Sequence, residues 1–173
     1  MNSIKLRAAN INDLPLLRHW DKQPHVVAAT GDDDWGWETE LDKNPVWRVQ
    51  LIAEIDGRPI GYVEIADPFL EESHYWGADV EPNLRAVDIW IGEADDLGKG
   101  YGTIMMKLAL EKCFALSEVI AVIIDPLASN KDSHRFYERL GFKFVEERSF
   151  GEDDCFVYRL ERENQLKIGT PSS

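Results

Sequence analysis

The sequence is poor in cysteine and contains no long apolar segment. Its 173 residues include only 2 cysteines, Cys113 and Cys155, and neither has a partner at the spacing of a metal or redox motif. We therefore expect two unreactive thiols, a reducing compartment and no metal site. No apolar run approaches the roughly 20 residues that a membrane-spanning helix needs. The first residues, MNSIKLRAAN, lack the apolar stretch of a signal peptide, so we expect a cytoplasmic protein without a membrane anchor.

Basic residues are scarce relative to acidic ones. Lys and Arg total 19 against 32 Asp and Glu, which gives a net charge of −13. Such a surface repels nucleic acid and favours a cationic partner, although acidity can also serve solubility alone. The acids concentrate in predicted loops at residues 31–35, 70–73, 77–81 and 151–154. This distribution favours a negative field over a binding cleft.

The pattern of apolar residues predicts one domain over residues 1–165, followed by a polar tail at 166–173. The clearest local signal is a hairpin in which Asp56 and Gly57 join two strand patterns. Asn10 or Asn12 is predicted to cap the first helix, and the helix in SNKDSHRFYERLGF is predicted to be capped by Asn130 and to end just before Gly141. The segment VIAVII is continuously apolar, as expected for a strand inside a covered sheet. The predicted order of elements is β-α-α-β-β-β-α-β-α-β-β. It indicates an α/β (α+β) fold with a mixed sheet of about seven strands and helices on both faces.

The stretch DDLGKGYGTIMMKLAL places Gly98, Gly100 and Gly102 where a helix is predicted to begin. Glycine costs backbone entropy at such a position, so its presence needs a reason. The first N–H groups of a helix attract anions, and glycine lets a phosphate approach them closely. The spacing matches neither a Walker loop nor the dinucleotide fingerprint. The segment therefore predicts an anion site of another kind, with a turn required only for tight packing as the alternative.

The segments LGKGYGT and SNKDSHRFYERLGF together resemble the acetyl-CoA signature of the GCN5-related N-acetyltransferase (GNAT) superfamily. The resemblance implies the superfamily's fold, with a sheet splayed between its fourth and fifth strands, and acetyl-CoA as the donor. It also implies that residues 98–103 hold the CoA pyrophosphate and that the pantetheine arm lies in the splayed gap. The cofactor-binding residues implied in this way are Ile89, Trp90, Ile91, Gly98, Lys99, Gly100, Tyr101, Gly102, Thr103, Asn130 and Tyr137.

Two side chains carry the predicted chemistry. Asp88 lies in mid-strand, where a carboxylate is costly unless it has a partner. An acceptor ammonium would be such a partner, and Asp88 would help to remove its proton; an ion pair with Arg85 is the alternative. Within the resemblance, Tyr137 lies near the sulfur, where a phenol can protonate the leaving thiolate. Simple packing of its helix is the alternative for Tyr137.

Three segments narrow the resemblance to the aminoglycoside 6′-N-acetyltransferases: YWGADVEPNLRAVDIWI, DDLGKGYGT and IIDPLASNKDSHRFYERLGF. This branch implies direct transfer to the 6′-amine of a small polycation in a ternary complex, with Asp88 as base and Tyr137 as acid. Ala29 and Thr30 depart from two tryptophans of the branch. The acceptor contacts predicted from the resemblance and the acidic loops are Asp32, Asp33, Asp34, Trp35, Trp76, Glu81, Asp88 and Asp125.

Two other functions stay open at this level. The protein would be a GNAT enzyme for another amine, such as a polyamine, a hydroxylysine siderophore precursor or a protein amine. Alternatively, it would be a catalytically silent CoA-binding domain. The sequence is compatible with a monomer or a homodimer.

Overall fold

A computed structural model describes residues 3–31 and 34–169. Seven strands form one mixed sheet in the order β1-β2-β3-β4-β5-β7-β6. The strands are β1 (Ile4–Ala8), β2 (Arg48–Ile55), β3 (Arg58–Ala66), β4 (Leu84–Ile91), β5 (Ala121–Ile124), β6 (Lys143–Phe150) and β7 (Asp153–Glu161). The helices are α1 (Leu14–Asp21), α2 (Pro24–Thr30), α3 (Trp37–Glu40), α4 (Tyr101–Phe114), α5 (Lys131–Arg139) and α6 (Arg162–Gly169).

Turn and cap residues act where the sequence predicts them. Asp56 and Gly57 both have positive φ, at 50° and 85°, as the two central residues of a tight hairpin turn require. The Asn10 side chain accepts from the Asn12 amide and caps the 3₁₀ turn that leads into α1. Gly141 follows the end of α5 with φ of 96°, which suits the left-handed position after a helix. These local predictions are confirmed.

Helices cover both faces of the sheet, as predicted. On one face α4 buries Met105, Met106 and Leu110 against side chains of the central strands. On the other face α1 packs Leu17 and Trp20, both fully buried, in a cluster with Ile52, Tyr62 and Trp90. Because successive side chains of a strand alternate between faces, Val87 joins the first cluster and Trp90 the second. Asp88 therefore has its side chain on the face covered by α1, α2 and α3.

The sheet opens in its middle. β4 and β5 are parallel, but the structure pairs them only from Leu84–Ala121 to Ala86–Ile123. β4 continues to Ile91, and over this second half it remains paired with β3 up to the Gly61–Ile91 pair. The two strands thus separate after Ala86, and the predicted splay between the fourth and fifth strands is confirmed.

Two regions differ from the sequence prediction or refine it. The segment between α1 and β2 forms two short helices, α2 and α3, where one or two were predicted. A sixth helix, α6, follows β7 and extends to Gly169, although the residues from 166 onward were predicted as a polar tail. Within the described residues, no helix combines the length and apolar character needed to cross a membrane.

Candidate active site

A cleft of about 620 Å³ lies where β4 and β5 separate. This volume is within the range of small-molecule sites. Its walls include Asp88 and Trp90 from one face of the sheet, and Val87 and Tyr137 from the other. A single cleft reaches both faces because the strands have parted there. It therefore offers two approaches to one point, which a transfer between two substrates needs.

The start of α4 has the properties expected of an anion site. Gly98 and Gly100 have φ of +73° and +81°, and a Cβ at either position would meet nothing within 4 Å. Gly100 is the N-cap of this helix of 14 residues, and no side chain from the described part of the chain caps it. The first amides of α4 carry the positive end of the helix dipole. The open space beside the glycines fits a diphosphate, so these residues are suited to hold CoA.

Buried charge anchors the turn before these glycines. Arg58 donates to both carboxylate oxygens of Asp96, at 2.9 and 3.1 Å, and Asp96 is only 3% exposed. Lys99 lies 3.9 Å from the same carboxylate and is half exposed. The Asp96 contacts hold the turn, while the exposed part of Lys99 adds positive charge beside the helix start.

The strand residues implied to contact the pantetheine arm do not contribute equally. Ile89 and Ile91 pack against the α4 side of the core. The Trp90 ring instead lies in the aromatic cluster on the opposite face, stacked on Tyr62 at 5.1 Å. Because the Trp90 ring is held there, any contact of Trp90 with the arm would come from its backbone. The Ile91 carbonyl already accepts a hydrogen bond from His25 Nε2 at 2.9 Å.

α5 carries Asn130 at its start and Tyr137 near its end. The Asn130 side chain accepts from the Ser133 amide at 3.3 Å, so its predicted capping role is confirmed. Tyr137 is 7% exposed, packs against Phe142 and lines the cleft. Burial, followed by the negative charges of Asp88 and Asp125, raises the Tyr137 pKa above its ordinary value. The phenol therefore keeps its proton at neutral pH, as an acid must.

Asp88 is exposed and lines the cleft. It lies directly opposite Glu64 in the antiparallel pairing of β3 and β4. Arg85, which the sequence offered as a partner, forms an ion pair with Asp67 at 3.2 Å. Arg85 and Asp88 are also three positions apart on β4, and side chains separated by an odd number of positions on a strand lie on opposite faces. The Asp88 carboxylate is thus accessible from the cleft.

Acidic side chains dominate the rest of the cleft. Tyr75 donates to Asp125 Oδ2 at 2.5 Å, which holds that carboxylate at the wall. Among the described residues that line the cleft, Arg48 is the single basic one. The acidic lining residues are Asp34, Glu40, Glu64, Glu71, Glu72, Asp88, Asp125 and Asp153. The negative field predicted from the loop acids thus has a physical location.

Other predicted acceptor contacts are placed differently. Glu81 is not among the described residues that line the cleft, and its carboxylate forms an ion pair with Arg159 of β7. Asp32 and Asp33 lie outside the described residues. Trp35 lines the cleft and stacks on Trp37 at 5.4 Å, whereas Trp37 itself is buried in the core.

Tyr75 and Trp76 together form the aromatic wall beside Asp125. Trp76 lines the cleft but is only 5% exposed, because it packs edge-on against Phe150. Tyr75 stacks on the same Phe150 at 4.6 Å and is 46% exposed. Tyr75 therefore offers more surface to a ligand than the predicted Trp76.

Sequence reasoning missed several cleft residues that lie on strands or between them, among them Arg48, Glu64 and Tyr75. Arg48 and Glu64 are on β2 and β3, and Tyr75 is in the loop before β4. Polar residues inside otherwise apolar strand patterns were the available signal at Arg48 and Glu64. The predicted absence of a metal site is not contradicted: the described residues contain no group of three or more His, Cys, Asp or Glu able to hold a metal ion.

Comparisons with known proteins agree with this geometry. The family profile "Acetyltransferase (GNAT) domain" matches residues 10–150. An aminoglycoside N(6′)-acetyltransferase type 1 from Klebsiella pneumoniae is 28% identical over 151 residues, covering 82% of this chain and 75% of the relative. A kanamycin resistance protein from Rhizobium radiobacter is 35% identical over 74 residues, which is 43% of this chain and 68% of that protein.

Solved structures extend the similarity to three dimensions. A crystal structure of aminoglycoside acetyltransferase AAC(6′)-Ib in complex with coenzyme A and kanamycin superimposes with a TM-score of 0.86 at 25% identity. The match covers 97% of this chain and 100% of that one. An aminoglycoside N(6′)-acetyltransferase from Legionella pneumophila superimposes with a TM-score of 0.75 at 21% identity, over 95% of each chain, and this match supports the fold. The match to the GNAT profile over most of the sequence, together with the splayed sheet, shows that this chain belongs to the GNAT acetyltransferase family.

Proposed function

We propose that this protein is an acetyl-CoA-dependent N-acetyltransferase that acetylates the 6′-amine of an aminoglycoside, and so confers resistance to that antibiotic. The main support for this function is the cleft, which brings Asp88, Asp125 and Tyr137 to the point where β4 and β5 separate. The relatives named as aminoglycoside N(6′)-acetyltransferases support the same acceptor. The acidic lining suits a polycation better than a neutral or anionic amine.

Bound acetyl-CoA would supply an activated acetyl thioester. The first amides of α4, with Gly98 and Gly100, would hold its diphosphate, and the edge of β4 beyond Ala86 would hold its arm. These contacts would leave the thioester beside the middle of β4. The donor and the acceptor would then meet in one ternary complex.

Asp88 and Tyr137 divide the proton transfers of the reaction. Asp88 would hold the acceptor ammonium and accept its proton, so that a neutral amine attacks the thioester carbonyl. Tyr137 would donate its phenolic proton to the sulfur as the carbon–sulfur bond breaks. The acylated nitrogen would lose its second proton to the Tyr137 phenolate, which restores the phenol, and Asp88 would release its proton to solvent after the products leave. Asp125 and Asp34 would bind further ammonium groups of the acceptor, since both lie on the cleft wall.

A panel of aminoglycosides with either a 6′-amine or a 6′-hydroxyl tests the acceptor. We expect release of free CoA thiol with the 6′-amino compounds and little with their 6′-hydroxyl counterparts. Polyamines and a lysine-containing peptide serve as controls for other amines. Equal turnover of the 6′-hydroxyl compounds would contradict the proposal, and so would preference for a polyamine. Binding of CoA without thiol release from any amine would indicate a silent CoA-binding domain.

A further inference from the structure

Glu64 is a buried carboxyl in the cleft to which the reaction above assigns no role. It lies on β3 directly opposite Asp88 on β4, and its side chain is 14% exposed. Side chains directly opposite each other on antiparallel strands have Cβ atoms about 5 Å apart, and like charges there repel. Two carboxylates at these positions are therefore costly for the protein when both are ionised.

The groups around Glu64 do not neutralise it fully. From β2, Arg48 Nε lies 3.9 Å from Glu64 Oε1, which is too far for a hydrogen bond. Among the described residues, Arg48 Nε has no hydrogen-bond partner although the Arg48 side chain is only 8% exposed. Arg48 is also shared with Glu40 of α3, at 3.5 Å. From β3 itself, the Tyr62 hydroxyl donates to Glu64 Oε2 over a long 3.4 Å.

The remaining neighbours of Glu64 are negative. Asp88 faces it from β4 and Glu71 from the loop after β3. Burial is the largest effect on Glu64, and with Asp88 and Glu71 it outweighs the opposing charge of Arg48. Together these influences raise the pKa of Glu64 to about 8. A proton on Glu64 would relieve this repulsion in the ligand-free protein.

We propose that Glu64 is a second carboxyl of the acceptor site, protonated in the ligand-free protein and ionised when a cationic acceptor binds beside Asp88. This inference rests on the proposed function for the identity of the cation. The neutral Glu64 carboxyl and a bound R–NH₃⁺ give a Glu64 carboxylate, the same R–NH₃⁺ and one proton that goes to solvent. Glu64 acts as a positioning residue: it places a second negative charge next to the ammonium held by Asp88.

The sign of the pH effect follows from this exchange. Because acceptor binding releases a proton, the affinity for the acceptor rises with pH and levels off above about 8, where Glu64 is already ionised. Over one pH unit below that plateau, full proton release corresponds to a change of about tenfold in affinity. Titration of the acceptor's own amines is common to all variants of the protein, so a ratio of affinities removes it.

The first experiment uses the ligand-free protein and the variant Glu64→Gln, which imitates the protonated carboxyl. Folding raises the pKa of Glu64 from 4.5 to about 8, so its protonated carboxyl contributes fully to the free energy of unfolding up to about pH 4.5. This contribution is lost progressively as the pH rises to about 8. We expect the Tm of the wild type relative to Glu64→Gln to fall by at least ~4 °C between pH 5 and pH 9. A constant difference in Tm would overturn the proposal whether or not an aminoglycoside binds.

The second experiment measures proton release when kanamycin binds, by calorimetry at pH 7 in two buffers of different ionisation enthalpy. We expect the wild type to release close to one proton more than Glu64→Gln. The affinity ratio of wild type to Glu64→Gln should rise about tenfold from pH 6.5 to 7.5.

Glu72→Gln is the matched control for the second experiment, because Glu72 is an exposed glutamate of the same cleft. It should weaken kanamycin binding and leave the proton count as in the wild type. Equal proton release in wild type and Glu64→Gln would overturn the inference and leave the proposed function intact. Absence of kanamycin binding to every variant would instead contradict the proposed function, and the Tm comparison would then decide the protonation of Glu64.

Discussion

Single side chains of the cleft differ in whether they contact the reacting atoms or the rest of the acceptor. Asp88 is exposed at the opening between β4 and β5, while Tyr137 is buried on its opposite wall. A base that binds a cation should be accessible, and an acid that meets a thiolate should be shielded from water. The exposure of each residue is consistent with the role proposed for it.

Replacement of Asp88 by Asn tests the base. We expect kcat to fall by about 10²–10⁴-fold because proton removal from the ammonium is lost. The affinity for acetyl-CoA, measured by titration without acceptor, should stay close to that of the wild type. Asp79→Asn removes the same charge from an exposed position off the cleft wall and should leave kcat unchanged. A variant that binds acetyl-CoA poorly and turns over normally would remove the catalytic role of Asp88.

Replacement of Tyr137 by Phe tests the acid. We expect a decrease in kcat of about tenfold to hundredfold, since water can partly replace a lost proton donor. The decrease in kcat should be the same at every pH in the working range, because the raised pKa keeps the Tyr137 phenol protonated throughout it. Tyr158→Phe removes another buried hydroxyl, which donates to Glu138 at 3.3 Å, and serves as the control for packing. An unchanged kcat, or a ratio of wild-type to Tyr137→Phe kcat that varies with pH, would speak against proton donation by a neutral phenol.

Predictability from sequence varied among these residues for a physical reason. Asp88, Asp125 and Tyr137 lie in contiguous motifs, so their place on the cleft followed from local spacing and a resemblance. Glu64 was missed because its protonation depends on burial and on Asp88, which is 24 positions away in sequence but directly opposite on the adjacent strand. Glu81 was predicted as an acceptor contact from its loop, but its ion pair with Arg159 spans 78 positions. Long-range pairing of charges cannot be read from composition.

At the scale of elements, Gly100 at the start of α4 is proposed to serve both the turn and the binding of CoA. Comparison with Gly57, which serves a turn alone, distinguishes the two roles. Gly100 and Gly57 have nearly the same φ, +81° and +85°, and a Cβ would meet nothing within 4 Å at either. We expect Gly100→Ala and Gly57→Ala to lose similar stability, about 1–2 kcal/mol each, because alanine is strained at positive φ. Only Gly100→Ala should also weaken CoA binding, because its methyl group occupies the space proposed for the diphosphate.

Thermal unfolding and CoA titration of the two glycine variants check this expectation. The Gly57 variant is the control, since its turn lies between β2 and β3 and away from α4. Equal CoA affinity in both variants would mean that the glycines serve only the turn. A loss of affinity in both would indicate a general effect of destabilisation.

Elements whose structure is determined by neighbouring residues were predicted best. The turn at Asp56 and Gly57, the caps at Asn10 and Asn130, and the helix after Gly100 all depend on a few adjacent residues. α6 was missed because its sequence, RENQLKIG, has little apolar periodicity of its own. Contacts with α4 and β7 supply what its sequence lacks.

At the scale of the whole molecule, the net charge of −13 acts differently on the two proposed substrates. It attracts a polycationic acceptor and repels anionic CoA, so the local amides of α4 and Lys99 must overcome the overall field. Added salt screens interactions between charges separated by more than about 10 Å at 0.1 M. We expect the KM for a 6′-amino aminoglycoside to rise roughly three- to tenfold from 0.05 to 0.5 M salt.

The KM for acetyl-CoA is the internal control, and it should fall or stay constant over the same range of salt. The opposite signs distinguish electrostatic attraction from a general effect of salt on the enzyme. An acceptor KM that does not respond to salt would leave the acidic lining of the cleft without its proposed use.

The separation of β4 from β5 also affects how the molecule is held together. Only the three residue pairs from Leu84 to Ala86 are seen to join the block β1–β4 to the block β5–β7 through the described sheet. A donor arm lying along the free edge of β4 would take the place of an absent eighth strand and bridge both blocks. The hydrogen bonds of this sheet edge would then be complete only while the donor substrate is bound.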